Sequence, residues 1–184
     1  TLQQEASKVL NFSTSKTMRL AQQLYEGVDV GKQGTVGIIT YLRTDSTRIS
    51  DEAARMAEEY ITETHGEDYL RQGGVKKSSD KKIQDAHEAI RPTDIRRLPA
   101  MVKDSLSRDQ FRLYQLIWKR FAASCMADAR YHTTSVKIDG GGYRFTVASS
   151  SVEFDGFMSV YVQEEDEKGG NTTLVKALDQ TSVL

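Results

Sequence analysis

Apolar residues recur at helical spacing in three stretches of this chain and give way to strand-like alternation near Asp128. Met18, Ala21, Leu24 and Tyr25 form the first stripe, opened by Ser13 or Thr14 as a cap and closed by Gly27. Met56, Ala57, Tyr60 and Ile61 line a second helix, from Asp51 to about His65, with Ser50 as its cap and Gly66 as its stop. Ser107 and Gln110 make a capping box that opens the longest helix, Arg108 to about Ala127. Phe111, Tyr114, Ile117, Trp118, Phe121 and Met126 form its core face, with Trp118 expected as an anchor. Thr1 and Gln4 carry the same box pattern and predict a helix to about Leu10. A short helix is expected around Ala86 to Ile90, ending before Pro92.

The strands are fewer and later. Val36-Gly37-Ile38-Ile39-Thr40 reads as a buried strand. Thr133 to Ile138 and Tyr143 to Ala148 read as a hairpin around the turn Asp139-Gly140-Gly141-Gly142. Val152 to Phe154, Met158 to Val162 and Thr173 to Leu178 are expected as further strands, the last after a turn at Lys168-Gly169-Gly170-Asn171. The pattern therefore predicts an α+β chain: a mainly helical domain over residues 1–127, then an incomplete antiparallel β segment over 128–184.

Composition adds limits. At 184 residues, 38% hydrophobic and 28% charged, the chain has enough apolar content for one medium domain or a domain plus part of another. No apolar run reaches the length of a membrane span, so no membrane is expected as a partner. No signal peptide opens it, and a start at Thr1 reads as an excised piece. Its single cysteine, Cys125, excludes an internal disulfide and fits a reducing cytoplasm, as a buried inert thiol. A net charge of -1 argues only weakly for nucleic acid. Lys76, Lys77, Lys81, Lys82, Arg91, Arg96 and Arg97 nevertheless cluster in one stretch, where phosphate contact fits. The acidic run Glu164-Glu165-Asp166-Glu167 reads as a solvated loop. Gly31-Lys32-Gln33-Gly34 lacks the Gly-Lys-Ser/Thr ending of a phosphate loop and reads as a connector.

The candidate chemistry lies at the end of the first strand, in Tyr41-Leu42-Arg43-Thr44-Asp45-Ser46-Thr47-Arg48. Alternation places Tyr41, Arg43 and Asp45 on one face and Thr40, Leu42 and Thr44 on the other. A phenol oxygen attacks a phosphodiester and holds it covalently. A guanidinium grips two phosphate oxygens and stabilises the transition-state charge. A free phenol titrates near 10, at about the top of the useful range, so such a nucleophile needs help at neutral pH. His87 is of the type that clamps phosphate or relays a proton. The same spacing also suits a strand end with a surface tyrosine and a solvated arginine.

The octapeptide from Tyr41 to Arg48 resembles the active-site tyrosine motif of the type IA DNA topoisomerases, in its bacterial topoisomerase I form. Other segments resemble the same family in the same order: Thr1-Leu2-Gln3-Gln4-Glu5-Ala6, Ala21-Gln22-Gln23-Leu24-Tyr25-Glu26-Gly27, Asp85-Ala86-His87-Glu88-Ala89-Ile90-Arg91-Pro92-Thr93 and the run from Leu113 to Phe121. Glu88 and Arg91 in the histidine segment favour the topoisomerase I branch over topoisomerase III.

The resemblance implies a winged-helix-like catalytic domain followed by part of a β-rich arch. It implies Tyr41 as nucleophile and Arg43 as catalytic, with His87, Arg91, Thr40, Thr44, Asp45, Gln22 and Glu26 toward DNA or its phosphates. The partners are single-stranded DNA and the rest of the same polypeptide, with open sheet edges available for self-association. Mg²⁺ is the implied cofactor of the intact enzyme, held by an acidic domain that would precede these residues, so the piece alone is expected to be metal-free and inactive. The place of work is the cytoplasmic nucleoid. Two rivals remain: a non-catalytic winged-helix DNA-binding module, and the topoisomerase part of a reverse gyrase. A protein–DNA covalent adduct separates the first from an enzyme, and an upstream helicase domain would mark the second.

Overall fold

Short polar side chains start three of the helices as local chemistry requires. In the computed structural model, which describes residues 1–73 and 87–162, Ser13 accepts from the Lys16 amide to begin α2 (Thr14–Glu26). Ser50 does the same for the Ala53 amide at α3 (Asp51–His65). Ser107 and Gln110 exchange both capping bonds at α5 (Arg108–Cys125). Thr1 is different. It precedes α1 (Leu2–Leu10) without a side-chain capping bond, and only its carbonyl engages the helix, accepting from the Glu5 amide. The expected Thr1–Gln4 box is therefore not formed. α1 ends on Asn11 in the left-handed conformation, and α4 (Pro99–Val102) starts on a proline.

The chain divides into two units, Thr1–Ala127 and Asp128–Leu184. In the first, α5 is the central element and packs against α1, α2, α3 and α4. Ala6, Leu24, Ile38, Ala57, Ile61, Leu113 and Tyr114 are fully buried there. Each buried Leu or Ile contributes about 1.5–3 kcal/mol by leaving water, so helix packing dominates the stability of this unit. Leu113 and Leu116 add to the α5 face that the sequence suggested. Trp118 is the anchor expected of it: its indole donates to the Ile95 carbonyl at 2.8 Å. One turn earlier, the Tyr114 hydroxyl donates to the Arg97 carbonyl at 2.7 Å. These two bonds fasten the 95–97 segment to the core, and that segment follows the histidine motif.

Irregular backbone carries the rest of the first unit. The predicted strand over 36–40 is regular only at its start, where β2 (Thr35–Val36) pairs antiparallel with β1 (Val28–Asp29). Beyond Val36 the chain leaves that ribbon, because Ile38 donates to the Leu24 carbonyl at the end of α2 instead. Ile38 and Ile39 are nonetheless buried as expected of a strand. The expected helix from Ala86 also does not form over the described part, His87–Ile90. Its backbone groups are used elsewhere: the Ala89 amide donates to the Arg48 carbonyl and the Ala89 carbonyl accepts from Thr40. Residues 74–86, which hold Lys76, Lys77, Lys81 and Lys82 of the basic cluster, lie outside the described residues.

Among the described residues, the second unit holds a two-stranded antiparallel hairpin, β3 (Arg130–Gly140) and β4 (Tyr143–Phe154), turning on Gly141 and Gly142. The two strands expected at Tyr143–Ala148 and Val152–Phe154 are one continuous strand, because Ser149, Ser150 and Ser151 keep pairing with Thr134, Thr133 and His132. Met158–Val162 is not a strand: Gly156–Ser159 forms a 3-10 turn, entered at a Gly156 with φ 50°. The later turn, strand and acidic run fall beyond residue 162 and outside the described residues. The α+β class and its order, helices first and antiparallel strands second, are as predicted. Among the described residues, no helix is long and apolar enough to cross a membrane.

Candidate active site

Tyr41 is placed by the two backbones on either side of its strand. On one side, Gly37 presses against the last turn of α2; a Cβ there would lie 2.4 Å from the Tyr25 carbonyl oxygen, so only glycine fits. On the other side, Ile39 bridges to Pro92, the Thr93 amide donates to the Ile38 carbonyl at 3.0 Å, and the Thr40 amide donates to the Arg91 carbonyl at 2.9 Å. The tyrosine segment thus runs between helix α2 and the histidine motif, which are far apart in sequence.

The ring of Tyr41 is half-buried between two others. His87 lies against it with ring centroids 4.5 Å apart and planes 32° apart. Tyr25 meets it edge-on at 5.5 Å and 72°. Leu42 is buried and Arg43 is exposed, while the backbone bends at these two residues instead of continuing as a strand. Among the described residues, no carboxylate pairs with Arg43. Asp45 is exposed and lines the same cavity as Thr44, so the expected separation of these two residues onto opposite faces is not kept.

The remaining predicted residues have protein partners. The Thr40 hydroxyl donates to the Ala89 carbonyl at 2.8 Å and accepts from the Arg91 amide at 2.9 Å, tying the nucleophile's neighbour to the histidine segment. Thr44 accepts from the Ser46 amide at 3.0 Å and shapes the turn after Arg43. Gln22 donates to Glu26 along α2, and among the described residues neither bonds to Arg43. Arg91 is largely withdrawn from solvent: its side chain is 12% exposed and pairs with Glu88 at 2.7 Å. Two more members of the basic stretch are also engaged, Arg96 in a two-pronged pair with Glu63 and Arg97 with Gln33 and Thr93. Lys76, Lys77, Lys81 and Lys82 lie outside the described residues.

Glu88 titrates below the ordinary carboxylate value. Burial works against its charge, but the hydrogen bond and charge of Arg91, with hydrogen bonds from Ser50, outweigh that penalty. Behind the Tyr41–Arg48 segment, Thr44, Asp45 and Thr47 line a cavity of about 530 Å³ with Ala89, Arg71 and Arg120. Among the described residues, no three His, Cys, Asp or Glu side chains converge to hold a metal ion.

Tyr25 and Glu88 are the members of this site that sequence reasoning did not assign. Tyr25 belonged to an apolar stripe, and nothing local shows that its ring meets Tyr41. Glu88 had a visible signal: an acid three residues before Arg91, inside the histidine motif.

The DNA topoisomerase family model matches residues 1–182 of this chain. Among solved structures, full-length topoisomerase I from Thermotoga maritima is similar at 45% identity and a TM-score of 0.75. That similarity covers 88% of this chain and 26% of the Thermotoga maritima chain. The chain belongs to the DNA topoisomerase family, in its bacterial type IA branch.

Proposed function

We propose that these residues carry the nucleophile half of a type IA topoisomerase reaction on single-stranded DNA. Tyr41 Oη attacks a backbone phosphorus, a Tyr–phosphate bond forms and the P–O3′ bond breaks. The phenol gives up its proton and the leaving 3′ oxygen gains one. The product is a 5′-phosphotyrosyl link beside a free 3′ hydroxyl. After another strand passes, the 3′ hydroxyl attacks in reverse and the phosphodiester is restored. The bond count is unchanged in each direction, so ATP is not consumed, and negative supercoils relax.

The observation that carries this reading is the placement of Tyr41: a half-buried ring held by His87 and Tyr25, with an exposed guanidinium two residues on. Arg43 grips the scissile phosphate and His87, beside the phenol, hydrogen-bonds to phosphate or carries a proton. Asp45 lies on the DNA side, and Thr40 and Thr44 hold the backbone on which the nucleophile sits. Mg²⁺ and the acid for the leaving oxygen come from residues outside this chain in the working enzyme, so these 184 residues alone bind single-stranded DNA without cleaving it. The chain's 26% share of its Thermotoga maritima relative supports that division. The hairpin pairs only β3 with β4 among the described residues, which supports docking of further strands or a second copy on its edges.

The test is relaxation of a negatively supercoiled plasmid by the full-length enzyme without ATP. The parent protein relaxes it and the Tyr41→Phe variant does not, while both retain single-stranded DNA binding. A relaxing Tyr41→Phe variant overturns the assignment. Binding without relaxation by the parent protein favours the non-catalytic DNA-binding module.

A further inference from the structure

Over its described residues, 87–93, the histidine segment forms no helix or strand, yet it must present the His87 ring to Tyr41. Its charged pair is built inward. Arg91 directs Nε and one terminal nitrogen at the same Glu88 oxygen, at 2.9 and 2.7 Å, and the other terminal nitrogen donates to the Pro92 carbonyl at 3.0 Å. All three guanidinium nitrogens are thereby engaged within four residues, and the side chains are only 12% and 22% exposed. With its side chain 12% exposed, Arg91 offers little surface to a DNA phosphate. Ser50, the cap of α3, is among the groups that favour the charged form of Glu88. The Ala89 amide donates to the Arg48 carbonyl at 2.8 Å, and Thr40 holds Ala89 and Arg91. His87 is the next residue before Glu88 in this bracket.

We propose that the Glu88–Arg91 ion pair is a positioning device: it fixes the His87 ring on the face of Tyr41 and sets the nucleophile's approach without touching DNA. This rests on the reading of Tyr41 as the nucleophile. A displaced catalytic group costs on the order of a hundredfold per ångström, so a loosened His87 slows cleavage while leaving DNA affinity alone. A phosphate contact behaves otherwise: its loss weakens binding at every sequence and lowers the salt slope by about one counterion.

The experiment uses the full-length enzyme and a labelled single-stranded oligonucleotide, reading adduct formation rate and equilibrium binding separately. Glu88→Gln keeps the shape and removes the charge; Arg91→Lys keeps the charge and removes the planar fork. Both variants form adduct roughly ten- to a hundredfold more slowly, with binding and its salt slope at the parental level. The exchanged pair, Glu88→Arg with Arg91→Glu, recovers part of the rate. In a His87→Ala background, Glu88→Gln causes no further loss, because the pair acts through His87. Thermal unfolding of each variant shows that the protein is folded in the assay. Parental cleavage rates in both single variants overturn the proposal. So does a rate loss that adds in full to that of His87→Ala, or a reduced salt slope in Arg91→Lys. A parent enzyme that forms no adduct at all instead overturns the underlying reading of Tyr41.

Discussion

Replacing Gly37 by alanine probes the join between α2 and the tyrosine segment. The added Cβ would sit 2.4 Å from the Tyr25 carbonyl oxygen and 3.4 Å from its carbonyl carbon. Against an optimal non-bonded separation of roughly 3.5 Å, the two backbones must part by on the order of 1 Å. Both belong to buried structure: Leu24 is fully buried and its carbonyl accepts from Ile38 at 2.9 Å. Overpacking of this kind costs about 1–3 kcal/mol. Loss of glycine freedom in the unfolded chain offsets about 0.4–1 kcal/mol of it. The expected net loss is about 1–2 kcal/mol, or a fall in unfolding midpoint of roughly 2–8 °C. Gly140→Ala is the control, since a Cβ there meets nothing within 4 Å, and it should shift stability by less than about 0.5 kcal/mol. Thermal unfolding followed by the helical circular-dichroism signal measures both. A Gly37→Ala midpoint no lower than that of Gly140→Ala would refute the close approach of these backbones. The same separation moves the Tyr25 ring off Tyr41, so covalent capture should fall in Gly37→Ala beyond what the lost stability explains.

Arg43→Lys keeps the charge but not the two-pronged grip, so cleavage by the full-length enzyme should slow by about tenfold or more; a parental rate in single-turnover assays removes Arg43 from the transition state. Cys125 is 1% exposed and burial pushes its thiol up to about 11, so an aromatic disulfide reagent at pH 8 should leave it unmodified until the chain unfolds; rapid labelling of the folded chain contradicts that packing. Glu88 titrates lower in the folded chain than unfolded, so its share of stability is fully present above about 4.3, the unfolded value, and is lost as pH falls through the lower folded value. Unfolding midpoints measured from pH 6 to pH 3 should fall less steeply in Glu88→Gln than in the parent, and equal slopes deny the linkage.

What the sequence made legible was chemistry acting within a few residues. Ser13, Ser50 and the Ser107–Gln110 pair announce helix starts because their oxygens reach amides three positions on. The core face of α5 follows from its 3.6-residue period. Thr1–Gln4 shows that the letters of a box do not oblige its bonds to form. The misread segments are those whose backbone is satisfied at long range. Residues 38–40 bond to α2 and to Arg91 and Thr93 rather than extending a strand, and His87–Ile90 is held by Thr40 and Arg48 rather than by helical bonds. In the hairpin, exposed apolar residues such as Phe145 and Val147 mix with serines on the same strand, so the pattern broke β4 where the structure continues it. At the site, the burial of Leu42 and the exposure of Arg43 followed from the sequence, but the alternation did not extend to Asp45, which lines one cavity with Thr44. The edge-on contact of Tyr25 and the inward turn of Arg91 were not legible, because each depends on residues brought close only by the fold.

The central claim is that Tyr41 Oη becomes bonded to DNA. The most direct measurement is to trap the full-length enzyme on a single-stranded oligonucleotide with denaturant, digest the protein and sequence the nucleotide-bearing peptide by mass spectrometry. The account predicts a phosphate bridge from Tyr41 to the 5′ end of the cleaved strand, absent when Tyr41 is phenylalanine. A nucleotide carried by any other residue, or an adduct through the 3′ end, would contradict it.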